Sequence, residues 1–371
     1  MKKILYITNV PSPYRVKFFN ELGKHCDLTV LFEKAASDER DRSWSDYQFE
    51  NFQGIVLPGV SVRADMSLSF GARRHLKRHS YDVIVCTDFT TPTGMLALSC
   101  LRRKGIPYYL ESDGGFPKSG RGAKEALKQR CISDAVGYFS TGDMHDQYYL
   151  TYGAQPERLI RYPFSSVSER EILSKPVSNA EKAALRNQLG IKEKYLVLTV
   201  GQFIHRKGFD VLLESATKFS DDVGFYFVGG EPTEEYLALQ SGHSNVHFRG
   251  FQKPETLQQY FMAADLFVLP TREDIWGLVI NEAMASSLPV VTTTRCLAGV
   301  EMIEPGRNGY LIPPEDSLEL TRTISYLLSE PEHLALMAFE ALKTARGYTI
   351  EAMVEKHLET FKLPGRMAEK A

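Results

Sequence analysis

Short apolar runs alternate along this chain with longer stretches whose apolar positions recur every three to four residues, the two periods that separate strands from amphipathic helices. In the first half the pattern predicts strands over residues 3–9, 27–33, 81–86, 107–113 and 135–141. Helices are predicted over 15–25, 67–79, 92–104, 123–133 and 143–152, the last closed by Gly153 as a C-cap. Such alternation builds a parallel sheet covered by helices on both faces. A polar, Ser-rich stretch around Pro176 interrupts it, and the same pattern then restarts. Strands are predicted next over 195–203, 223–229, 245–251, 264–271 and 288–294, with helices over 209–219, 254–262 and 278–286. The expected fold is α/β, two tandem doubly wound, Rossmann-like domains facing a cleft. Residues 1–165 make the first domain, 166–190 a linker and 191–349 the second. A final helix over 350–364 either completes the second domain or returns to the first.

Length agrees, because 371 residues exceed what one hydrophobic core holds. With 43% hydrophobic and 24% charged residues the chain sits at the globular average, which excludes disorder. Its cysteines, Cys26, Cys86, Cys100, Cys131 and Cys296, are scattered and odd in number, so they read as reduced, buried thiols rather than a zinc or redox site. The opening apolar run breaks at Thr8 and Asn9, too early for a signal peptide, and no stretch is long enough to cross a bilayer. A cytoplasmic protein without a nucleic-acid partner is expected. The net charge of −2 hides an asymmetry, since residues 61–130 carry thirteen Lys or Arg against six Asp or Glu. That excess reads equally as a solvated basic face or as the footprint of an anionic partner, either a phosphate-bearing substrate or the inner surface of a membrane.

The densest chemistry lies in the run from Ala264 to Ala285. It reads as a buried strand, a turn broken by Pro270 that carries Glu273 and Asp274, and a helix opening at Gly277 and Leu278. A glycine at a helix start lets backbone approach a ligand closely, and the helix dipole and first amides favour an anion such as a diphosphate. Glu282, further along that helix, suits a vicinal diol such as a ribose, and Asp274 can reach the hydroxyls of a transferred sugar. Together, Asp274, Trp276-Gly277, Glu282 and Ala283-Met284-Ala285 resemble the hallmark of the retaining glycosyltransferases of family 4, which have the two-domain GT-B fold. The family usually places Glu where this chain has Asp274, and Glu273 stands one position earlier. Charge complementation of a helix start would explain an acid pair alone, but not so many matching positions.

A second constellation, Val200 to Asp210, closes a strand and opens a helix. In the family it resembles, an Arg after the glycine at Gly201 and the Lys of a Lys-Gly five positions on form the basic pair that neutralises a donor diphosphate, and Lys207-Gly208 match the second of these. The family's Arg is here Gln202, and Arg206 is the candidate replacement. Family members hold the nucleotide base where this chain has Arg249 to Phe251, although a turn explains that run equally well. In the first domain the loop with Pro13 and Arg15 is one that the family uses near the diphosphate and acceptor. Prolines there are explained by turn chemistry; the charge of Arg15 is not. Asp113, ahead of paired glycines, stands where relatives carry a histidine that touches the donor sugar, and is a catalytic candidate with Lys207 and Asp274. A buried, turn-forming Asp is an equal reading. His145 and His205 read as packing or surface residues.

The resemblance implies transfer of a sugar from a nucleoside diphosphate donor to a saccharide or lipid-linked hydroxyl acceptor, with retention, in bacterial surface polysaccharide or glycolipid assembly. No Asp-x-Asp sequence is present, so metal-independent transfer is expected, with Lys207, Arg206 and the Gly277 helix start balancing the phosphates and no cofactor required. Rival readings on the same frame are a nucleotide-sugar epimerase, a sugar phosphorylase and a non-catalytic two-lobed sugar-binding protein. A dinucleotide dehydrogenase is disfavoured, since no Gly-x-Gly-x-x-Gly follows the first strand.

Overall fold

The first strand, with sequence KILYIT, is buried from its second residue onward, a pattern that places it inside a sheet covered on both faces. In the computed structural model, which describes residues 1–36, 48–63, 65–117 and 122–364, the chain divides into two units. One comprises Met1–Ser166 with Thr349–Ala371, the other Val167–Tyr348.

The first unit contains β1 (Lys3–Thr8), β2 (Asp27–Phe32), β3 (Gln53–Val56), a separate antiparallel hairpin of β4 (Val60–Arg63) and β5 (Met66–Leu68), then β6 (Val83–Cys86), β7 (Tyr109–Glu111), β8 (Gly137–Ser140) and β9 (Leu159–Arg161). Its helices are α1 (Pro13–Leu22), α2 (Pro92–Lys104), α3 (Ala123–Ile132) and α4 (Asp143–Thr151). The main sheet is parallel, in the order β3-β2-β1-β6-β7-β8-β9, so the winding direction reverses between β1 and β6. Residues 67–79, expected as a helix, instead form β5 and a short 3-10 turn, Gly71–Arg74. The serines explain the difference: Ser67 Oγ donates to Glu33 O (2.8 Å), Ser69 Oγ to Pro58 O (2.7 Å), and Ser69 N to Thr93 Oγ1 (2.9 Å), tying the segment to neighbours rather than to itself.

In the second unit the strands are β10 (Tyr195–Val200), β11 (Val223–Val228), β12 (Val246–Arg249), β13 (Leu266–Leu269), β14 (Val290–Thr293) and β15 (Gly309–Ile312). They pair in parallel in the order β12-β11-β10-β13-β14-β15, and the winding reverses between β10 and β13. Around them lie α5 (Asn179–Leu189), α6 (Phe209–Ala216), α7 (Glu234–Gln240), α8 (Pro254–Ala263), α9 (Leu278–Ala285), α10 (Leu297–Met302), α11 (Ser317–Ser329) and α12 (Pro331–Ala345). Of residues 166–190, expected as a linker, all but Ser166 belong to this unit. Their α5 starts with a capping box between Ser178 and Glu181, and Arg186 Nη2 fastens it to Asp265 Oδ2 (2.6 Å). The sequence signal missed here was that Ser-x-x-Glu spacing.

The last helix, α13 (Ile350–Phe361), belongs to the first unit and packs on α1. Its His357 is fully buried, stacks on Phe139 at 4.0 Å between ring centroids, and sets Nε2 3.2 Å from Glu111 Oε2. Glu111 in turn pairs with Arg15 on α1. Burial alone would raise the Glu111 carboxyl; Arg15 and His357 more than reverse that and bring it down to about 2.

Candidate functional site

Doubly wound sheets bind ligands beyond the carboxyl ends of their strands, where the winding reverses. In the second unit that place lies between the segments after β10 and β13, and Gly201, Arg206, Lys207, Glu273, Asp274 and Gly277 converge on it. Val200 pairs with Val228, and Val228 with Arg249, so β10, β11 and β12 end level with one another. After β10 the chain makes a 3-10 turn, His205–Lys207, and closes it at Gly208 with φ +66°. A Cβ on Gly208 would lie 2.0 Å from the carbonyl oxygen of Pro270, so only glycine lets this turn press against the end of β13. Thr271 Oγ1 and Arg272 N both donate to Arg206 O, at 2.8 and 2.9 Å. Arg272 adds a bidentate clasp on Asp210, with contacts of 2.8 and 2.6 Å.

That clasp delivers two cations to one carboxylate. Lys207 Nζ lies 2.7 Å from Asp274 Oδ2, and Arg206 Nη1 3.2 Å from Asp274 Oδ1. Burial alone would raise the Asp274 carboxyl, but Lys207 and then Arg206 outweigh it, and the net shift is downward. The Lys207 stem passes over Gly201, where a Cβ would stand 3.5 Å from Lys207 Cε. Arg206 Nη1 also donates to Glu273 O (2.9 Å), and the Glu273 side chain pairs with Arg295 (2.5 Å). Arg295 carried no motif in the sequence. The one available hint was that Glu273, an extra acid beside the family's usual one, required a partner.

Gly277 has φ +99° and opens α9, where Ile280 N turns back to Gly277 O (2.8 Å) and the N–H groups of Leu278 and Val279, ahead of it, are the ones a helix start leaves without an intrahelical acceptor. A Cβ there would meet Cys296 Sγ at 2.8 Å. Leu278 begins the helix and Glu282 sits half-buried one turn on. Trp276 does not line the site. It is 2% exposed, its Nε1 donates to Asn281 Oδ1 (2.9 Å), and its carbonyl accepts from Ala298 N (2.9 Å). An indole is the largest apolar body a chain can bury, and here the core takes it. Arg249 ends β12 with its guanidinium carbon 5.3 Å from the Tyr226 ring centroid, and Phe251 just beyond is 46% exposed.

In the first unit, Pro13 occupies the first turn of α1 and Arg15 follows it. Arg15 is not available to a diphosphate. It is 3% exposed, and its guanidinium is matched by Glu111 and by Asp113 Oδ1 (2.6 Å). Asp113 is engaged on both oxygens, since Oδ2 accepts from Tyr14 OH (2.6 Å). His145 is fully buried, accepts from Thr141 N at Nδ1 (3.1 Å) and sets Nε2 2.9 Å from Ser112 Oγ. Burial pushes it down to about 3, so it is a neutral packing residue. Sequence reasoning missed two acids at this sheet's reversal point. Asp88 accepts at Oδ2 from Thr87 Oγ1 (2.7 Å), Thr8 Oγ1 (3.0 Å) and Asn9 N (3.0 Å). Glu33 is 2% exposed and in hydrogen-bond contact with Thr91. Their signal was position, one or two residues past a strand end. Among the described residues, no three His, Cys, Asp or Glu side chains gather in a metal-binding arrangement.

Glu33 yields a stability test. Burial pushes its carboxyl up to about 8, outweighing the hydrogen bonds from Thr91 and Ser67 N, which favour the ionised form. Thr91 Oγ1, which also faces Asp88 O at 2.8 Å, is in hydrogen-bond contact with the carboxyl. A folded value above the unfolded one, about 4.3, contributes stability that is complete below the unfolded value and lost as pH rises through about 8. Glu33→Gln, which reproduces the neutral acid, is expected to flatten the unfolding free energy between about pH 5 and 9. It should also exceed the native protein in stability at the alkaline end. Urea titrations at several pH values check this, and parallel native and variant profiles would refute a neutral Glu33.

Residues 194–330 match the family model described as "Glycosyl transferases group 1". The alpha-D-kanosaminyltransferase of Streptomyces kanamyceticus is 30% identical over 184 residues, 47% of this chain and 47% of that protein. The putative teichuronic acid biosynthesis glycosyltransferase TuaC of Bacillus subtilis is 27% identical over 255 residues, 67% of this chain and 62% of the relative. These matches thus span about half to three-fifths of the curated relatives. In structure, Anabaena Alr3699/HepE in complex with UDP superposes with a TM-score of 0.79 at 18% identity, covering 97% of this chain and 99% of that one. The two Rossmann-like lobes of this chain have the GT-B fold of the glycosyltransferases.

Proposed function

We propose that this chain transfers a sugar from a nucleoside diphosphate donor to a hydroxyl acceptor, with retention and without a metal ion. The observation that carries this reading is the pairing of Lys207 and Arg206 on Asp274 beside the Gly277 helix start, inside the segment that matches the group 1 family model. As the glycosidic bond to the diphosphate breaks, negative charge builds on the phosphate oxygens. Lys207 Nζ and the first amides of α9 face that charge, and their positions are already set, so little reorganisation accompanies the step. Asp274 holds Lys207 and Arg206 in register, Glu282 accepts from the ribose diol, and Phe251 covers the base, with Arg249 at the base of that loop. UDP in the complex of the structural relative supports a nucleotide donor for this chain. Both Asp113 oxygens being engaged, no protein nucleophile is invoked, and a leaving phosphate oxygen takes the acceptor proton. Incubation with UDP-, GDP- and ADP-sugars and candidate saccharide or lipid-linked acceptors, followed by product mass and anomeric analysis, tests the reading. A glycosylated product of unchanged anomeric configuration, formed equally in EDTA, is expected; phosphate-dependent cleavage or isomerisation without acceptor would favour the phosphorylase or epimerase reading.

The acceptor side of this reading is a lipid-linked or surface saccharide presented at an anionic membrane. No described helix is long and apolar enough to cross a bilayer. The β4–β5 hairpin, however, exposes Val60 (72%) and Val62 (52%), with Phe70 (59%) close by in sequence. Arg73, Arg74, Lys77 and Arg78 are exposed in the turn that follows. Apolar side chains beside clustered cations suit a surface of anionic lipid headgroups. Of the remaining basic stretch, Lys118 and Arg121 lie outside the described residues. Sedimentation with anionic but not neutral liposomes is expected, weakening in salt and in the Val60→Ser, Val62→Ser, Phe70→Ser triple variant. Equal recovery in the supernatant with both lipids, at low and physiological salt, would remove the membrane from the account.

A further inference from the structure

We infer that Arg295 is a diphosphate-binding residue of the second unit, and that Glu273 competes with the donor's phosphate for its guanidinium. The inference rests on the donor reading above. It starts from the way Arg295 is fixed. Strand β14 ends in threonines that tie it to the end of β13: Thr292 Oγ1 donates to Leu269 O (2.6 Å) and Thr293 Oγ1 to Thr271 O (2.6 Å). Beyond them the segment runs alongside the acidic loop. Asp274 N donates to Arg295 O (2.9 Å), and Leu297 N to Asp274 O (3.1 Å). Arg295 therefore has its backbone locked to the residue that holds Lys207 and Arg206.

Its charge completes an unusual grouping. Arg206 reaches the carbonyl oxygen of Glu273 and Arg295 its carboxylate, so two guanidinium groups approach one residue while Lys207 sits on the next. The three cations Arg206, Lys207 and Arg295 thus meet the carboxylates of Glu273 and Asp274. The two carboxylates are not equivalent. Asp274 has a side-chain exposure of 9% and is held by two partners, whereas Glu273 and Arg295 are each 38% exposed. A half-exposed ion pair is weak and exchangeable, because water and other anions compete for both partners. A diphosphate offers a guanidinium the same bidentate oxygen geometry as a carboxylate, with more charge. Of the two acids, Glu273 is the one that can yield its cation. The pair also accounts for two departures from the family pattern together: Gln202 supplies no charge, and Glu273 is an additional acid.

The test compares a nucleoside diphosphate with its own nucleoside. UDP, GDP, ADP and CDP are screened by calorimetry on the native chain, and the tightest is titrated against variants together with the matching nucleoside. Arg295→Gln is expected to weaken diphosphate binding by about tenfold or more, the scale of one charged hydrogen-bond pair, and to leave nucleoside affinity and melting temperature within error. Glu273→Gln, which removes the competitor, is expected to tighten diphosphate binding severalfold. Equal diphosphate affinity in native protein and Arg295→Gln would overturn the inference alone. So would parallel losses for diphosphate and nucleoside, or a loss in Glu273→Gln matching that in Arg295→Gln, since each is the mark of a structural ion pair. A native chain that binds none of the four diphosphates would overturn the donor reading and this inference with it.

Discussion

Asp274 is a carboxylate taken largely out of water, and an ionised group in that position persists only where cations meet it. Three separate stretches of chain answer that requirement. The turn after β10 supplies Lys207 and Arg206, and it lies close enough only because Gly208 admits the carbonyl of Pro270. The segment after β14 pairs its backbone with Asp274 itself, and Arg272 clasps Asp210 to hold the turn in place. The geometry at the carboxyl edge of the second sheet therefore follows from neutralising one acid. Three cations gathered next to a glycine-started helix are the by-product that an anionic ligand can use.

The first unit solves the opposite problem. There the buried charge is a guanidinium, Arg15, and Glu111 and Asp113 surround it. Glu111 is in turn approached by His357 from α13, so the C-terminal helix is fixed to the first sheet by the same network. The reversal point of this sheet presents Asp88, with Glu33 behind it. An edge lined by acids suits hydroxyl groups better than phosphates.

Much of this was legible in the residue pattern, and the failures share a cause. Strands β1, β10 and β13 are uninterrupted apolar runs, and the α9 motif joins an acid, a glycine and a second acid within one local stretch, so periodicity and spacing sufficed for them. Segment 67–79 misled because its serines bond to Glu33 and Pro58, partners remote in sequence. Trp276 carried the motif but spends its side chain in the core, a matter of packing that spacing cannot express. Arg15 sits in the first turns of α1 rather than in the expected loop and lost its expected role, because Glu111 lies 96 residues away and its partnership is invisible until the sheet forms. Arg295 and His357 were missed for the same reason: each acquires meaning only from a residue on another segment, Glu273 and Glu111 respectively.

The central claim is that the second unit grips a diphosphate through Lys207. Equilibrium titration of the native protein and the Lys207→Ala variant with a nucleoside diphosphate and with its nucleoside tests it most directly. The account requires diphosphate affinity to fall by an order of magnitude or more in the variant while the nucleoside binds as before; equal diphosphate binding by the two proteins would contradict it.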